Sequence, residues 1–468
     1  MTNQPLPEQA CAPARSAALA WLRSEPGLLL LLFTFAAVAR LVAAMQLGGG
    51  FHFVDETDYF DTARRILAGG GFGATYSREP VFPLFLSALS AIAPGNVLAL
   101  RMLHAVAAAL GTVLIFRLGR LLFGTTAAAF AALVYAFDPL LVVTGALFYA
   151  ESLAAMTLLA ALLAALTAWR NDRIGWSLLA GLLLGVVAQL RAVALVIPPL
   201  FIAWAVLATP LPVRRRLLHA SALALALLLA LLPWTYRNYR VHGRLVTISR
   251  SAQQNTPKAW RSYAWNNGVG SSLLRRAYDD PSGFADRTLR QFGYFWELRP
   301  TRLETDTQSG RDALHAKDRR LPRAPSFNTA VRDNISAISF GAELLLAFAG
   351  LAVAWRRRSP AVLLLVAVPI GYALGYSLFF AKMRYRVMVL PELFLLTGLG
   401  AALVWEFWRG MLPGGYSART TPPPAPSDRR PPIGAVTPPL ERVEYGHGAW
   451  NRAHGVTHEV VRKEDHTQ

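Results

Sequence analysis

Residues 27–46 read GLLLLLFTFAAVARLVAAMQ, and such a run can cross a bilayer as one helix, which takes about 20 apolar residues. Composition agrees with membrane insertion, since 54% of the 468 residues are hydrophobic and only 16% are charged, against about 25% charged in soluble domains. Nine further stretches of this kind lie at 100–122, 126–147, 152–169, 174–190, 192–209, 217–235, 338–355, 361–379 and 387–408. The sequence therefore predicts an all-α polytopic membrane protein with about ten spans.

A shorter apolar stretch, 81–94, ends in Ala-Pro-Gly and is typical of an interfacial helix that does not cross the membrane. If it lies flat, the short arginine-rich loops at 117–120, 170–173 and 214–216 all fall on one side, as the positive-inside rule requires. This topology places both termini in the cytoplasm. It predicts a multi-pass protein of the inner (plasma) membrane.

The positive charge of the chain has a topological explanation. Lys and Arg number 47 against 28 Asp and Glu, but much of the excess lies in short loops. No basic-aromatic module of a known type accompanies it, so nucleic acid is not an expected partner. The predicted regions are a cytoplasmic N-terminal segment 1–26, a transmembrane domain 27–408 with outer loops 47–99 and 236–337, and a disordered, Pro-rich cytoplasmic tail 409–468.

From residue 51 the first outer loop reads FHFVDETDYFDTARRILAGGG. Its apolar residues, Tyr59 among them, recur at helical spacing, which predicts an amphipathic helix lying on the membrane surface. That helix would hold the acidic pair Asp55 and Glu56 at the mouth of the first span. The pair either caps the helix and interacts with its dipole or acts as a base, and both interpretations stay open at this point.

Other charged residues are predicted on the same face. Arg78 and Glu79 precede the interfacial stretch, and Arg101 and His104 begin the second span on one helix face. Glu151 stands between two apolar spans, where a carboxylate is costly without a partner or a function. The alternatives are a snorkelling side chain for Arg101 and an N-cap-like acid for Glu151.

Two later segments combine arginine with tyrosine. They are PWTYRNYR at 233–240, with Arg237 and Asn238, and AKMRYR at 381–386, with Lys382, Arg384, Tyr385 and Arg386. One interpretation is an aromatic belt with arginines that bind lipid headgroups. The other is a clamp for a phosphate group.

The order of these motifs over about residues 25–405 resembles the GT-C superfamily of glycosyltransferases that use lipid-linked sugars. The similarity is greatest to the protein O-mannosyltransferases and the lipid A aminoarabinose transferases. It rests on D-E-x-x-Y after the first span, R-E-P before the interfacial helix, R-N-Y after the seventh span and R-Y-R-x-x-x-x-P-E-L late in the chain. A departure is Val81, which replaces the usual second proline after Glu79.

The resemblance implies a GT-C-like bundle with interfacial helices in the first outer loop, and it implies roles for single residues. Asp55 matches the general base, and Arg78 and Glu79 match positions that contact the donor phosphate or stabilise the site. The predicted site comprises Asp55 and Glu56 as catalytic residues, and Tyr59, Arg78, Glu79, Arg101, His104, Glu151, Arg237, Asn238, Lys382, Arg384, Tyr385 and Arg386 as substrate-binding residues.

The implied activity is transfer of a sugar from a polyprenyl-phosphate carrier to a hydroxyl of a lipid, glycan or protein acceptor outside the cytoplasm, with inversion. Membrane lipids are the other expected partners. No cofactor is assigned, although a divalent cation held by Asp55, Glu56 and Glu151 is left open. The alternative is a transporter or flippase, which needs polar groups at the bilayer midplane. The predicted spans are instead apolar at mid-depth, with Gln189 and Glu392 as the main exceptions, and the polar residues gather at one face.

Overall fold

The computed structural model describes residues 24–411, apart from 75, 77, 244, 250–276, 301–307, 323–327 and 380. The predicted N-terminal segment, up to residue 23, and the predicted tail, from residue 412, lie outside the described residues. Helix α16 continues to Met411, three residues beyond the predicted end of the transmembrane domain.

The described chain is built from helices that follow the predicted segments closely. In order they are α1 (Glu25–Leu47), α2 (Val54–Leu67), α3 (Val81–Ile92), α4 (Val97–Ala109), α5 (Gly111–Phe123), α6 (Thr125–Phe137), α7 (Pro139–Ala146), α8 (Ala150–Asn171), α9 (Ile174–Leu190), α10 (Ile197–Leu207), α11 (Val213–His242), α12 (Pro281–Phe295), α13 (Gln308–Lys317), α14 (Thr329–Arg356), α15 (Pro360–Ser377) and α16 (Leu390–Met411). Two 3₁₀ segments, Ala192–Val196 and Met383–Met388, precede α10 and α16.

The apolar helices make this an integral membrane protein. Within the described ranges, seven helices are long and apolar enough to cross a membrane, with Val97–Phe123 counted as one, or eight if the bent pair α6–α7 forms one span. Helix α9 and the segment Ala192–Leu207 are apolar but shorter. The predicted count of ten requires both of these to cross as well and stays a prediction.

The third predicted span, 126–147, is two helices with a bend of 54° between them. Asp138 and Pro139 cause the break, because the Asp138 side chain caps the new helix at the N–H of Leu141 (2.7 Å) and proline cannot donate to the preceding turn. The break frees carbonyl groups of α6. Arg40 of α1, which is 1% exposed, donates hydrogen bonds to two of them, those of Tyr135 and Ala136, so the interrupted backbone is satisfied inside the protein.

Helices α14 and α16 pack with their backbones in close approach. A Cβ atom added to Gly350 would overlap the carbonyl oxygen of Leu396, and one added to Gly400 would overlap that of Leu346. Small residues at such crossings are typical of membrane helices, where association depends on van der Waals contact.

Replacement of Gly350 by alanine is expected to destabilise the protein by about 1–3 kcal/mol, because the added methyl group meets backbone that cannot move aside. The matched control is Gly341→Ala on the same helix, where a Cβ meets nothing within 4 Å and alanine gains up to about 1 kcal/mol in helix propensity. Melting temperatures in detergent compare the two variants. Equal values would contradict the close packing.

Four connections meet at one end of the bundle, which we call the Asp55 end. They are the loop 48–53 between α1 and α2, the loop 147–149 between α7 and α8, Arg191 between α9 and the next 3₁₀ segment, and the 3₁₀ segment Met383–Met388. The interfacial helices α2 and α3 also lie there. In α2 the predicted face is buried through Tyr59 and Phe60.

Candidate active site

A buried ion pair shapes the loop that leads into α2. The side chains of Glu56 and Arg101 are fully enclosed and lie 2.9 Å apart. The Glu56 carboxylate also accepts hydrogen bonds from the backbone N–H groups of His52 (2.8 Å) and Phe148 (3.1 Å). Both oxygens of Glu56 are therefore occupied by groups of the protein itself.

Arg101 is equally well satisfied. Its guanidinium donates to the carbonyl oxygens of Gly48 (3.2 Å), Gly50 (2.7 Å) and Ala146 (2.9 Å) and lies over the ring of Phe148, 4.7 Å from its centre. These contacts join the first outer loop to the end of α7.

Asp55 lies beside this pair at the start of α2, and its side chain is 22% exposed. Its Oδ1 accepts a hydrogen bond from Nη2 of Arg78 at 2.8 Å, and its Oδ2 accepts one from Nη2 of Arg384. The two arginines are 23 and 329 residues away in the sequence. Folding therefore gives each carboxylate oxygen its own guanidinium group.

These two arginines also set the ionisation of Asp55. Burial alone would raise the pKa of the carboxyl group, but the positive charges of Arg384 and Arg78, and the hydrogen bonds they donate, outweigh it. The pKa of Asp55 is held well below its usual range. Asp55 is consequently ionised at neutral pH, and its negative charge is paired with the two arginines.

Glu151 extends the cluster at the start of α8. Its side chain is fully enclosed and forms an ion pair with Arg191, and its Oε1 lies 3.6 Å from Nε of Arg384. The charges thus alternate along one chain of contacts, in the order Arg78, Asp55, Arg384, Glu151 and Arg191. We call the three cations the arginine cluster.

Each arginine of the cluster lies against a tyrosine ring. The distances from guanidinium carbon to ring centre are 5.3 Å for Arg78 over Tyr59, 4.6 Å for Arg384 over Tyr149 and 5.5 Å for Arg191 over Tyr385. Such cation–π contacts fix the plane of a guanidinium group. Burial raises the pKa of Tyr59 to about 12 and that of Tyr149 well above its usual value, so both phenols stay protonated at neutral pH.

Two carboxylates of the cluster can be reached from solvent. Glu56 and Glu151 are fully enclosed, whereas Asp55 is partly exposed. Asp58, one turn further along α2, has a side chain that is 55% exposed and lies 3.1 Å from Nη1 of Arg78. Asp55 lies between two arginines of the cluster, whereas Asp58 contacts one of them.

His104 and Glu79 are enclosed next to the cluster. A backbone N–H, that of Ala192, lies 3.4 Å from Oε1 of Glu79, which links the segment before α3 to the segment after Arg191. His104 is 1% exposed and packs among the rings of Phe82, Phe85 and Phe148. The described contacts of both residues are with protein groups.

Arg237 and Asn238 hold the loops that surround the site. Arg237 donates to the carbonyl oxygen of Tyr76 at 3.0 Å, which fastens the end of α11 to the first outer loop. Asn238 is 1% exposed and donates to the carbonyl oxygens of Val246 and Ile248. Both side chains are thus engaged with backbone at some distance from Asp55.

The segment 382–386 sends its side chains in different directions. Tyr385 stacks on Tyr376, with 4.4 Å between ring centres, on the side of the arginine cluster. Arg386 is 1% exposed and donates to the carbonyl oxygen of Glu297 at 2.6 Å, away from Arg384. Lys382 is half-buried at the start of the segment.

Two members of the cluster were absent from the predicted site. Arg191 is a single charged residue between two apolar segments. The free-energy cost of placing a charge there is the signal that could have identified it as a site residue. Asp58 lies on the exposed side of its helix and also pairs with Arg78. Nothing in its spacing distinguishes Asp58 from Asp61.

A bundle of apolar helices with an arginine–carboxylate cluster at one end defines an integral membrane protein with a polar site at the end of the bundle. The sequence model of the family described as dolichyl-phosphate-mannose-protein mannosyltransferase matches residues 77–235. That range includes Arg78, Glu151 and Arg191, but neither Asp55 nor Arg384. No curated protein sequence gave a match.

Solved structures share the fold along most of the chain. The archaeal oligosaccharyltransferase AglB from Archaeoglobus fulgidus, in complex with an inhibitory peptide and a dolichol-phosphate, has 16% identity and a TM-score of 0.56, over 86% of this chain and 53% of AglB. ArnT from Cupriavidus metallidurans bound to undecaprenyl phosphate has 16% identity and a TM-score of 0.52, over 83% of this chain and 64% of ArnT. The Archaeoglobus oligosaccharyltransferase in complex with Zn and sulfate has 17% identity and a TM-score of 0.53, over 81% and 50%.

These matches confirm the predicted resemblance at the level of the fold. The chain spans about half the length of the oligosaccharyltransferase and about two thirds of the length of ArnT.

Proposed function

We propose that this protein is a membrane glycosyltransferase that moves a sugar from a polyprenyl-phosphate carrier to an acceptor hydroxyl, with inversion at the anomeric carbon. The observation that carries the proposal is Asp55, a reachable carboxylate between two arginines at the end of an apolar bundle. The relatives of the same fold were solved with a dolichol-phosphate and with undecaprenyl phosphate, which supports a lipid-phosphate donor here.

The chemistry of such a transfer fits this set of groups. A lipid-phosphate leaving group is anionic at neutral pH and needs cations that stabilise the charge growing on the departing oxygen. The acceptor hydroxyl has a high pKa and needs a positioned base. The arginine cluster supplies the cations and Asp55 supplies the base.

The contacts of the surrounding residues support a separate role for each of them. Arg78, Arg191 and Arg384 bind the phosphate, and Glu151 holds the last two in place. Glu56 and Arg101 position the loop that carries Asp55. The other residues of the predicted site support the walls and loops around this centre, namely Tyr59, Glu79, His104, Arg237, Asn238, Lys382, Tyr385 and Arg386.

The carboxylates do not fit a divalent cation in this arrangement. Both oxygens of Asp55 accept hydrogen bonds from arginines. Glu151 lies against the guanidinium groups of Arg191 and Arg384. A cation would have to replace arginines that already neutralise these acids. Within the described ranges, no group of three or more His, Cys, Asp or Glu side chains is arranged to hold a metal.

The activity is tested by incubating the purified protein with a panel of polyprenyl-phosphate sugars and acceptors. Release of free polyprenyl phosphate that depends on the acceptor is the expected result. A transporter or flippase would leave every donor intact, and that outcome would overturn the proposal.

We further propose that the Asp55 end faces away from the cytoplasm of a cell with an inner (plasma) membrane and that both termini are cytoplasmic. The basic loops at the opposite end support this orientation. Gly49 lies in the loop 48–53 and Gly175 at the opposite end, both are exposed, and an added side chain meets nothing within 4 Å at either position.

In a Cys11→Ser background, we expect an impermeant maleimide added to whole cells to label Gly49→Cys and to spare Gly175→Cys. Permeabilised cells provide the control, in which both variants must react. Labelling of Gly175→Cys alone in intact cells would reverse the orientation.

A further inference from the structure

Two of the three nitrogen atoms of the Arg384 guanidinium group already face carboxylates. The rings of Tyr149 and Tyr385 also lie against it, with 4.6 and 5.2 Å between its Cζ and the ring centres. Its Nη2 donates to Asp55, and its Nε faces Glu151 at 3.6 Å. A phosphate that binds Arg384 through a pair of N–H donors uses two of the three nitrogen atoms, so it competes with at least one of the two carboxylates.

Burial decides which carboxylate gives way. Glu151 is fully enclosed between Arg191 and Arg384, and the Nε atom of Arg384 that faces it is buried, so this side of Arg384 is closed to a ligand that comes from solvent. Asp55 is 22% exposed and borders solvent. Its other arginine, Arg78, is 32% exposed and can turn toward a ligand at the same opening.

We propose that the donor phosphate and the Asp55 carboxylate compete for Arg78 and Arg384, so that binding of the lipid-phosphate sugar releases Asp55 to act on the acceptor. This inference rests on the function proposed above and concerns the regulation of the same site. Guanidinium groups bind phosphate and carboxylate through the same paired N–H donors, so one anion excludes the other. The base is thus weak in the free protein and becomes available once the donor is in place.

The reaction then returns the site to its starting state. The acceptor oxygen bonds to the anomeric carbon while the bond from that carbon to the phosphate oxygen breaks, and the departing oxygen keeps the electron pair. The acceptor proton passes to Asp55. When Asp55 loses this proton to water, its carboxylate binds the two arginines again and displaces the polyprenyl phosphate product.

Other charged and titratable groups face Asp55 and set the background for this competition. They are Arg78 and Asp58 on one side, Arg384 on the other, and the phenols of Tyr59 and Tyr149. The phenols are neutral near pH 7, and Asp58 contacts Arg78 without contacting Arg384 through any described bond. The exchange between free and donor-bound states therefore centres on Asp55 and its two arginines.

Equilibrium binding of radiolabelled undecaprenyl phosphate to the full-length protein in detergent tests the competition. Removal of the competing charge by Asp55→Asn is expected to tighten binding about tenfold, within the usual range of coupling between two linked events. Asp55→Glu keeps the charge and should bind close to wild type. The matched control is Asp61→Asn on the same helix, which removes a charge paired with Arg320 and should change the Kd by no more than about twofold.

The outcomes separate this inference from the proposed function. If wild type binds undecaprenyl phosphate but Asp55→Asn binds it equally or more weakly, competition is overturned and the proposed function stands. If wild type shows no saturable binding, the phosphate site itself is wrong and both proposals fall.

A pH profile of wild-type turnover gives a second readout that does not depend on a variant. The acid limb of kcat/KM for the donor reports the free enzyme, whereas that of kcat reports the substrate complex. Because the phosphate removes the arginines from Asp55, the acid limb of kcat should lie at least about one pH unit above that of kcat/KM. Coincident limbs would contradict the release of Asp55.

Discussion

Replacement of Asp55 by asparagine is expected to lower sugar transfer by about 10²–10⁴-fold, the usual contribution of a positioned general base. The amide has nearly the same size and still accepts a hydrogen bond, so the start of α2 should keep its position. Arg78 and Arg384 keep their charges and lose a competing carboxylate, so the lipid phosphate should bind more tightly than to the wild type, by about the tenfold expected from the competition. The loss should therefore appear in kcat and not in the affinity for the donor.

Asp58 and Asp61 provide matched controls on the same helix. Asp58→Asn removes a carboxylate that touches only the edge of the cluster, at Arg78, and it should lower turnover by less than about tenfold because the side chain is mostly exposed. Asp61→Asn removes a charge that pairs with Arg320 and should leave turnover unchanged. Turnover and donor affinity are measured on the same purified variants.

A different ranking would reassign the base. If Asp55→Asn keeps near-wild-type turnover while Asp58→Asn loses it, Asp58 takes the proton and Asp55 only holds the arginines. Glu56 and Glu151 are poorer candidates than the sequence indicated, because both side chains are fully enclosed and engaged with arginine.

Much of the bundle could be predicted because membrane insertion acts on local sequence. A span needs a long apolar run regardless of its neighbours, and α9 begins and ends at the predicted residues, 174 and 190. The bend at Asp138 was missed, since it depends on Arg40 of another helix satisfying the freed carbonyl groups. The number of crossings also depends on how the short segments at 174–207 pack, which composition does not determine.

The candidate site was predicted as a list of residues but not as an arrangement. Asp55 and Glu56 are adjacent in the sequence and looked equivalent, yet one faces the opening and the other is enclosed with Arg101. The difference arises from contacts across 45 to 92 residues, to Arg101 and to the backbone of Phe148. Helical periodicity orients a side chain relative to its own helix, whereas these partners come from other segments.

Removal of the Arg101 side chain is expected to unfold the site and not merely to weaken substrate binding, because its partners come from several segments of the chain. Arg101→Ala leaves the carboxylate of Glu56 buried without its cation, and breaking a buried pair in this way costs about 3–5 kcal/mol. The carbonyl groups of Gly48, Gly50 and Ala146 lose their donors as well. The melting temperature in detergent should fall sharply, whereas Arg64→Ala on the exposed face of α2 should change stability by less than about 0.5 kcal/mol.

A compensated variant separates a positioning role from a phosphate-binding one. In Glu56→Gln combined with Arg101→Met, no charge is left uncompensated, and the glutamine oxygen still accepts from the N–H groups of His52 or Phe148. This pair should regain most of the stability that Arg101→Ala loses, and with it the binding of undecaprenyl phosphate, because the arginine cluster is intact. If the double variant is stable but fails to bind the lipid phosphate, Arg101 contacts the donor directly. In that case the loop 48–53 must open to expose a guanidinium that is fully enclosed in the free protein.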